Sequence, residues 1–337
     1  MYPAGARLPR VSAPHRSPRL GYALAASAAT LWAVNGSLAR LLLDDHMPPA
    51  RLAELRSVCT FVLLAAGIVI ARPALLRVRR RDVHRLAFFG IVGLSGVNAF
   101  YFAAIARMDI GVALTVQYLG PLLLLLWLKL VHRRALPGTL WGAAGLSALG
   151  CFLVVGAYHP SSLDALGLVW ALGAAVTFAC YLMSGEQAGQ RYPPLSTLVW
   201  GFGFSALFWC VVQPLWSFPT EILSTPRNLA YAVYIVIGGT LIPFACIVTA
   251  VRHLPASRVA VVATLEPVLG ALIAWPVLGQ ALSPIQIAGG LLVVGAVIWV
   301  QTGRPELEAE LAPGYDRVPD VVAPIEAAAG TGRPSHL

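Results

Sequence analysis

The sequence predicts an all-α integral membrane protein, with ten transmembrane helices built as two inverted five-helix repeats. Three observations predict it. First, 58% of the 337 residues are hydrophobic and only 12% are charged, against roughly 25% charged in an average soluble domain, and the mean hydropathy is +0.74. Second, the apolar residues fall into blocks of about 20, the length that crosses a ~30 Å hydrocarbon core at 1.5 Å per residue. Third, the second half of the chain repeats landmarks of the first, in order, at an offset of about 146 residues.

Charges, prolines and glycines bound the blocks. Residues 1–19 carry Arg7, Arg10, Arg16 and Arg19 among Pro and Ser. They lack the apolar core of a cleavable signal, so they read as a cytoplasmic tail and the first span itself acts as the signal. Leu20–Leu43 follows and ends at Asp44-Asp45; Leu52–Ala71 lies between Pro48-Pro49 and Arg72. The second span reaches bilayer length only if Glu54 and Arg56 are counted in, because Ser57–Ala71 alone is too short. Leu86–Ala106 runs from Arg85 to Arg107, Ile110–Val131 from Asp109 to His132, and Gly138–Tyr158 from Pro137 to Pro160. In the second half, Leu166–Glu186 opens after Asp164, Leu195–Trp216 after Pro194, and Leu229–Val251 after Asn228. Val259–Leu278 is closed by Gly279, and Ile285–Gln301 follows Pro284. The repeats are thus expected at residues 20–158 and 164–302. From Gly303 the chain is rich in Pro, Ala and Gly and holds six of the fifteen acidic residues, so 303–337 is expected to be a disordered cytoplasmic tail.

The repeat is carried by the order of weak matches. Leu20-Gly21 recurs as Leu166-Gly167, Trp32-Ala33 as Phe178-Ala179, and Pro48-Pro49 as Pro193-Pro194. Tyr118-Leu119-Gly120-Pro121 recurs as Thr264-Leu265-Glu266-Pro267. An odd number of spans per half requires the second half to enter the membrane upside down. Loop charges agree. Arg72, Arg77, Arg79, Arg80, Arg81 and Arg85 crowd the connection after span two, with Lys129, Arg133, Arg134, Arg252 and Arg258 on the same side. Asp44, Asp45, Asp109, Asp164 and Glu221 lie on the other. Both termini are therefore expected in the cytoplasm of a plasma-membrane protein. This placement also accounts for the net charge of +9 without a nucleic-acid partner. Inverted repeats are typical of secondary transporters; channels have them too, so a passive facilitator is the alternative.

A charge inside a span is costly unless it faces protein or water. Arg56 and Glu54, on the same helix, read either as substrate-carboxylate or outer-gate residues or as a helix-end anchor or an Arg–Glu pair along one helix. Glu266 reads either as a brace between helices or as a proton carrier. Helix rise puts Glu266 roughly 12 Å from one face and Arg56 roughly 9 Å from the other, so no direct salt bridge is expected. Pro267 removes an amide donor and frees the carbonyl of Ala263, and Pro121 does the same to Gln117. Interrupted helices at corresponding places in two halves point to a transporter's binding site. Trp32, Asn35, Asn98, Tyr101, Gln117, Tyr118, Tyr181, Ser184 and Thr240 complete the candidate lining, each with helix packing as its alternative.

Lys129 is the only lysine and no GxxxxGK[ST] loop exists. No HExxH zinc motif, nucleophile–base pair or CxxC spacing is visible. No enzymatic activity, metal or cofactor is expected.

Leu31-Trp32-Ala33 with Asn35, Leu55-Arg56, Leu265-Glu266-Pro267-Val268, and Leu278-Gly279-Gln280 with Leu282-Ser283-Pro284 and Gln286 together resemble the EamA family of the drug/metabolite transporter superfamily. The resemblance spans about Leu20 to Gln301. Ser184-Gly185-Glu186-Gln187-Ala188-Gly189 and Gly120-Pro121 are similar to its threonine/homoserine exporter branch. Gln280 stands where the family commonly has Glu. The resemblance implies ten helices around a central cavity, alternating access, and export of amino acids or related metabolites. Its partners would be a small-molecule solute, bilayer lipid and, if transport is coupled to a gradient, protons.

Overall fold

The computed structural model describes residues 17–302 other than 121–122, 124–125, 128–129, 131–137, 156–163, 190, 251–252, 254–258, 260–261 and 264. Pro121, Lys129, Arg133, Arg134, Arg252, Arg258 and the segments 1–16 and 303–337 lie outside the described residues. Within them the chain is all helix and turn, with no strand.

Proline opens five of the helices: α1 (Pro18–Asp44), α2 (Pro49–Ala71), α7 (Pro194–Val212), α8 (Pro226–Ile247) and α10 (Pro284–Thr302). At a first helical position the missing N–H has no partner to lose and the fixed φ already suits a helix. The expected first span therefore begins slightly earlier than Leu20, at Pro18, because the proline can start the helix itself. The other helices given in full among the described residues are α3 (Arg80–Ile105), α4 (Ile110–Gln117), α5 (Gly138–Val155), α6 (Ala165–Gly189) and α9 (Glu266–Leu278). Gly279 ends α9 at φ 70°, a left-handed conformation that glycine takes without a Cβ penalty.

By length and composition, α2, α3, α6, α7 and α8 can each cross a membrane, and Glu266–Leu278 and Pro284–Ala296 are shorter apolar stretches. The chain faces outward with its apolar side: Ile70 is 85% and Val211 74% exposed, while Asn35, Ser37, Glu54, Arg56, Ser57 and Thr60 are buried. Such an arrangement is stable only where the surrounding solvent is lipid.

Helices α3 and α8 share a local irregularity. Each passes through a π-helical stretch, Phe89–Ser95 in one and Ile237–Leu241 in the other, before returning to α geometry. Gly93 and Gly239 hold equivalent repeat positions in these stretches.

Contacts between the halves exchange into one another. Helix α1 packs on α8 and α9, and its counterpart α6 packs on α3 and α4; α2 meets α7, α4 meets α9 and α5 meets α10. The shared apolar core includes Leu42, Phe102, Ile105, Leu114 and Ile235, all fully buried. Polar ties outside the core follow the same exchange. After α2, Asp82 accepts from Arg191 Nη1 at 2.9 Å and from the Tyr192 hydroxyl at 2.7 Å. At the other end of α2, Arg227 pairs with Asp45, close to the positions that the repeat relates to Asp82 and Arg191. Arg107 pairs with Asp164 at 3.1 Å, and near the equivalent place the Ser17 amide donates to His253 Nδ1 at 3.3 Å.

Candidate substrate site

The site is built where the helices are interrupted. Helix α4 stops at Gln117, and Tyr118 and Leu119 form a turn. At the corresponding position Leu265 is in a turn and α9 starts at Glu266. Pro267 therefore lies in the first turn of a helix, where it is tolerated, and does not kink a continuous one. The Ala263 carbonyl, four residues before it, is met from the other half: the Tyr118 hydroxyl lies 3.1 Å from it. The same hydroxyl is 2.9 Å from Glu266 Oε2. Thus the two interruptions join through one side chain. The helical counterpart, Pro121, is outside the described residues.

Arg56 enters from α2 and donates from Nη2 to the Gly239 carbonyl at 3.2 Å. Gly239 lies in the π-helical stretch of α8, where the widened turn shifts the backbone pairing. Asn35 closes on the same glycine, and a Cβ on Gly239 would collide with its side chain. Glu54 pairs with Arg51 at 2.7 Å, one turn back on its own helix, and does not pair with Arg56.

Between these points stand tyrosines. The Tyr101 hydroxyl rests against Gly36 of α1, so closely that a Cβ there would lie 2.7 Å from it. Tyr181 stacks on Phe89 at 5.3 Å and on Phe178 at 6.1 Å, and Phe178 reaches Tyr118 at 5.8 Å. Arg56 is within electrostatic reach of Glu266, Tyr101 and Tyr181, and Glu266 acts also on Tyr101 and Tyr118. Among the described residues no ion pair joins Arg56 to Glu266.

Five of the residues singled out in the sequence are brought together here: Arg56, Tyr101, Tyr118, Tyr181 and Glu266. Asn35 joins them through Gly239. Others are occupied locally. Asn98 Nδ2 donates to Leu94 O at 2.7 Å, Ser184 to Cys180 O, and Thr240 to Ile235 O at 2.9 Å. Trp32 packs edge-on against Phe244 at 5.8 Å. Gln117 is buried with its Oε1 unpartnered. Sequence reasoning missed Gly239, although its repeat-related partner Gly93 was a usable signal. Gln280 has a role too: its Oε1 accepts from the Ile110 amide at 3.1 Å, capping α4. Glutamine retains the acceptor that a glutamate would provide there, without the charge.

The EamA-like transporter family model matches this sequence twice, over residues 19–156 and 165–302. The chain belongs to the EamA-like transporter family. This EamA-like transporter is 28% identical over 254 residues to "Threonine/homoserine exporter RhtA" of Escherichia coli strain K12, covering 72% of this chain and 80% of that protein. It is 25% identical over 297 residues to "Uncharacterized inner membrane transporter YicL" of Salmonella typhimurium strain LT2, covering 84% and 96%. It is 26% identical over 296 residues to "Uncharacterized transporter YwfM" of Bacillus subtilis strain 168, covering 85% and 95%. A solved structure shares the fold at a TM-score of 0.58 and 22% identity, covering 87% of this chain and 100% of that one. The EamA-like transporter is thus a multi-pass membrane protein of a transporter family.

Proposed function

We propose that this EamA-like protein is a secondary transporter that exports amino acids or related small metabolites by alternating access. Ten transmembrane helices, in inverted repeats over residues 20–158 and 164–302, surround a central cavity, with both termini in the cytoplasm. The observation that carries this reading is the meeting of the interrupted helices at Tyr118, Ala263 and Glu266, one contribution from each half. Half-helices that end at mid-membrane, at the interface of two repeats, are where transporters of this build bind solute. The interhelix pairings exchange with the halves, so the mirrored set of contacts is available to a second, oppositely opened state. Amino-acid export is supported by the name of the Escherichia coli relative.

Counterflow in proteoliposomes tests it. Internal unlabelled amino acid should accelerate entry of the labelled one, and Glu266→Gln and Arg56→Gln should reduce the exchange. Solute flux without trans-stimulation, accompanied by large unitary currents, would identify a passive channel and overturn the carrier reading.

A further inference from the structure

Arg56 is at least nine-tenths buried, with a relative exposure of 9%. A guanidinium has five N–H donors and stays charged under all ordinary conditions. One described bond uses one of them, Nη2 to the Gly239 carbonyl, and Nε is buried with no partner. A buried cation left this incomplete is unfavourable by itself, and an acceptor arriving with a ligand would complete it. Glu266 has the complementary incompleteness. Tyr118 engages Oε2, and no described residue binds Oε1. The two groups come from different halves, one on α2 and the other at the start of α9, and among the described residues no ion pair joins them to cancel both.

We propose that Arg56 and Glu266 hold the two charges of a single zwitterionic solute, its anionic group on Arg56 and its cationic group on Glu266. A simple anion would satisfy Arg56 and be repelled by Glu266. A simple cation would suffer the reverse. A solute carrying both charges satisfies each. Discrimination then comes from repulsion as much as attraction, a property of sites that select against near relatives. Tyr101 lies within reach of both charges and Tyr181 of Arg56, and their phenol rings carry no charge of their own. Because α2 and α9 belong to different repeats, a solute held by both also senses the displacement of one half against the other.

This inference rests on the transporter reading, and one experiment separates their failures. Proteoliposomes holding the full chain are loaded with three matched radiolabelled sets: neutral L-amino acids including threonine and homoserine, their α-amides, and the corresponding 2-hydroxy acids. The amides keep the cation and lose the anion; the hydroxy acids do the opposite. Export of the amino acids alone, exceeding either matched set at least about tenfold, is the expected result; a tenfold ratio corresponds to about 1.4 kcal/mol of discrimination. Arg56→Gln should erase the preference over amides and Glu266→Gln the preference over hydroxy acids. Arg56→Lys and Glu266→Asp, which keep the charges, should retain both preferences if the glutamine variants fail to assemble. Equal or better export of amides or hydroxy acids by the wild type overturns the charge assignment and leaves the transporter standing. Export of none of the three sets overturns the proposed exporter itself, and the charge assignment with it.

Discussion

The Tyr118 hydroxyl stands 2.9 Å from Glu266 Oε2, and so the turn after α4 is tied to the first residue of α9. That hydroxyl has one proton and two acceptors, since the Ala263 carbonyl is only 3.1 Å away. With Glu266 ionised, the proton belongs on the carboxylate, because a charged acceptor makes the stronger bond. With Glu266 protonated, the carboxyl donates to the Tyr118 oxygen and Tyr118 donates to Ala263. Charge at Glu266 thereby decides whether the Ala263 carbonyl, stripped of its helical partner by Pro267, is satisfied.

Tyr118→Phe removes the donor from both acceptors while keeping the ring against Phe178. Leaving a buried acceptor unmet costs about 1–3 kcal/mol. We expect a lower unfolding midpoint in detergent or nanodiscs, and a larger loss of transport than the change in folded protein explains. Wild-type flux in Tyr118→Phe, measured by efflux from loaded proteoliposomes, would show that the hydroxyl is dispensable.

Glu266→Gln preserves size and hydrogen-bonding capacity but cannot lose a proton. If Glu266 carries the coupling proton, the dependence of efflux on external pH should flatten in this variant. The titratable groups facing it are Tyr118, Tyr101 and Arg56. Arg40 on the adjoining α1 is held by Asp44 and the carbonyls of Ile105 and Met108. A pH profile that keeps its wild-type shape, at normal expression, would reduce Glu266 to a brace between helices.

How much of this was legible beforehand depended on range. The apolar runs and the prolines at positions 18, 49, 194, 226 and 284 are local signals, and the helices start where those signals lie. Helix rise alone argues against a direct Arg56–Glu266 salt bridge, and none occurs among the described ion pairs. The π-helical stretches were not legible, because they depend on glycines approaching other helices: Gly93 against the Tyr181 backbone, Gly239 against Asn35. The Tyr118–Ala263 contact spans 145 residues, and no periodicity reports a contact of that kind. An Arg–Glu pair along α2 was among the sequence expectations for Glu54 and Arg56, and the structure gives Glu54 to Arg51, at i,i+3 spacing, and not to Arg56.

Asp82 closes the short 3-10 turn Arg80–Asp82 at the start of α3, ahead of the apolar run beginning at Leu86, and it gives a pH prediction. The Tyr192 hydroxyl first, and then Arg191, Arg81 and Arg85, hold its carboxyl below the ordinary range against the opposing effect of burial. A carboxyl whose folded pKa is depressed stabilises the fold above its unfolded value and loses that contribution as pH falls through the folded value. Asp82→Asn should therefore unfold at a lower temperature than wild type near neutral pH. The difference should narrow as the buffer is taken below the usual carboxylate range. A gap that stays constant down to strong acid would mean that the Asp82 charge does not fasten the loop after α2 to Arg191.

Gly239→Ala tests the closest approach in the site. A methyl there would overlap the Asn35 side chain, and it sits on the residue whose carbonyl Arg56 binds. Overpacking of this kind typically costs about 1–3 kcal/mol, so the single variant should be less stable and should transport poorly. The clash has one identifiable opponent, because all three heavy atoms closest to the added methyl belong to Asn35. Adding Asn35→Ala should then restore much of the stability, since neighbours that share a space give non-additive effects. If transport returns as well, Asn35 acts by shape, holding the π-helical turn so that its carbonyl meets Arg56. If stability returns and transport does not, the Asn35 amide itself, whose Oδ1 is buried without a partner, takes part in solute binding.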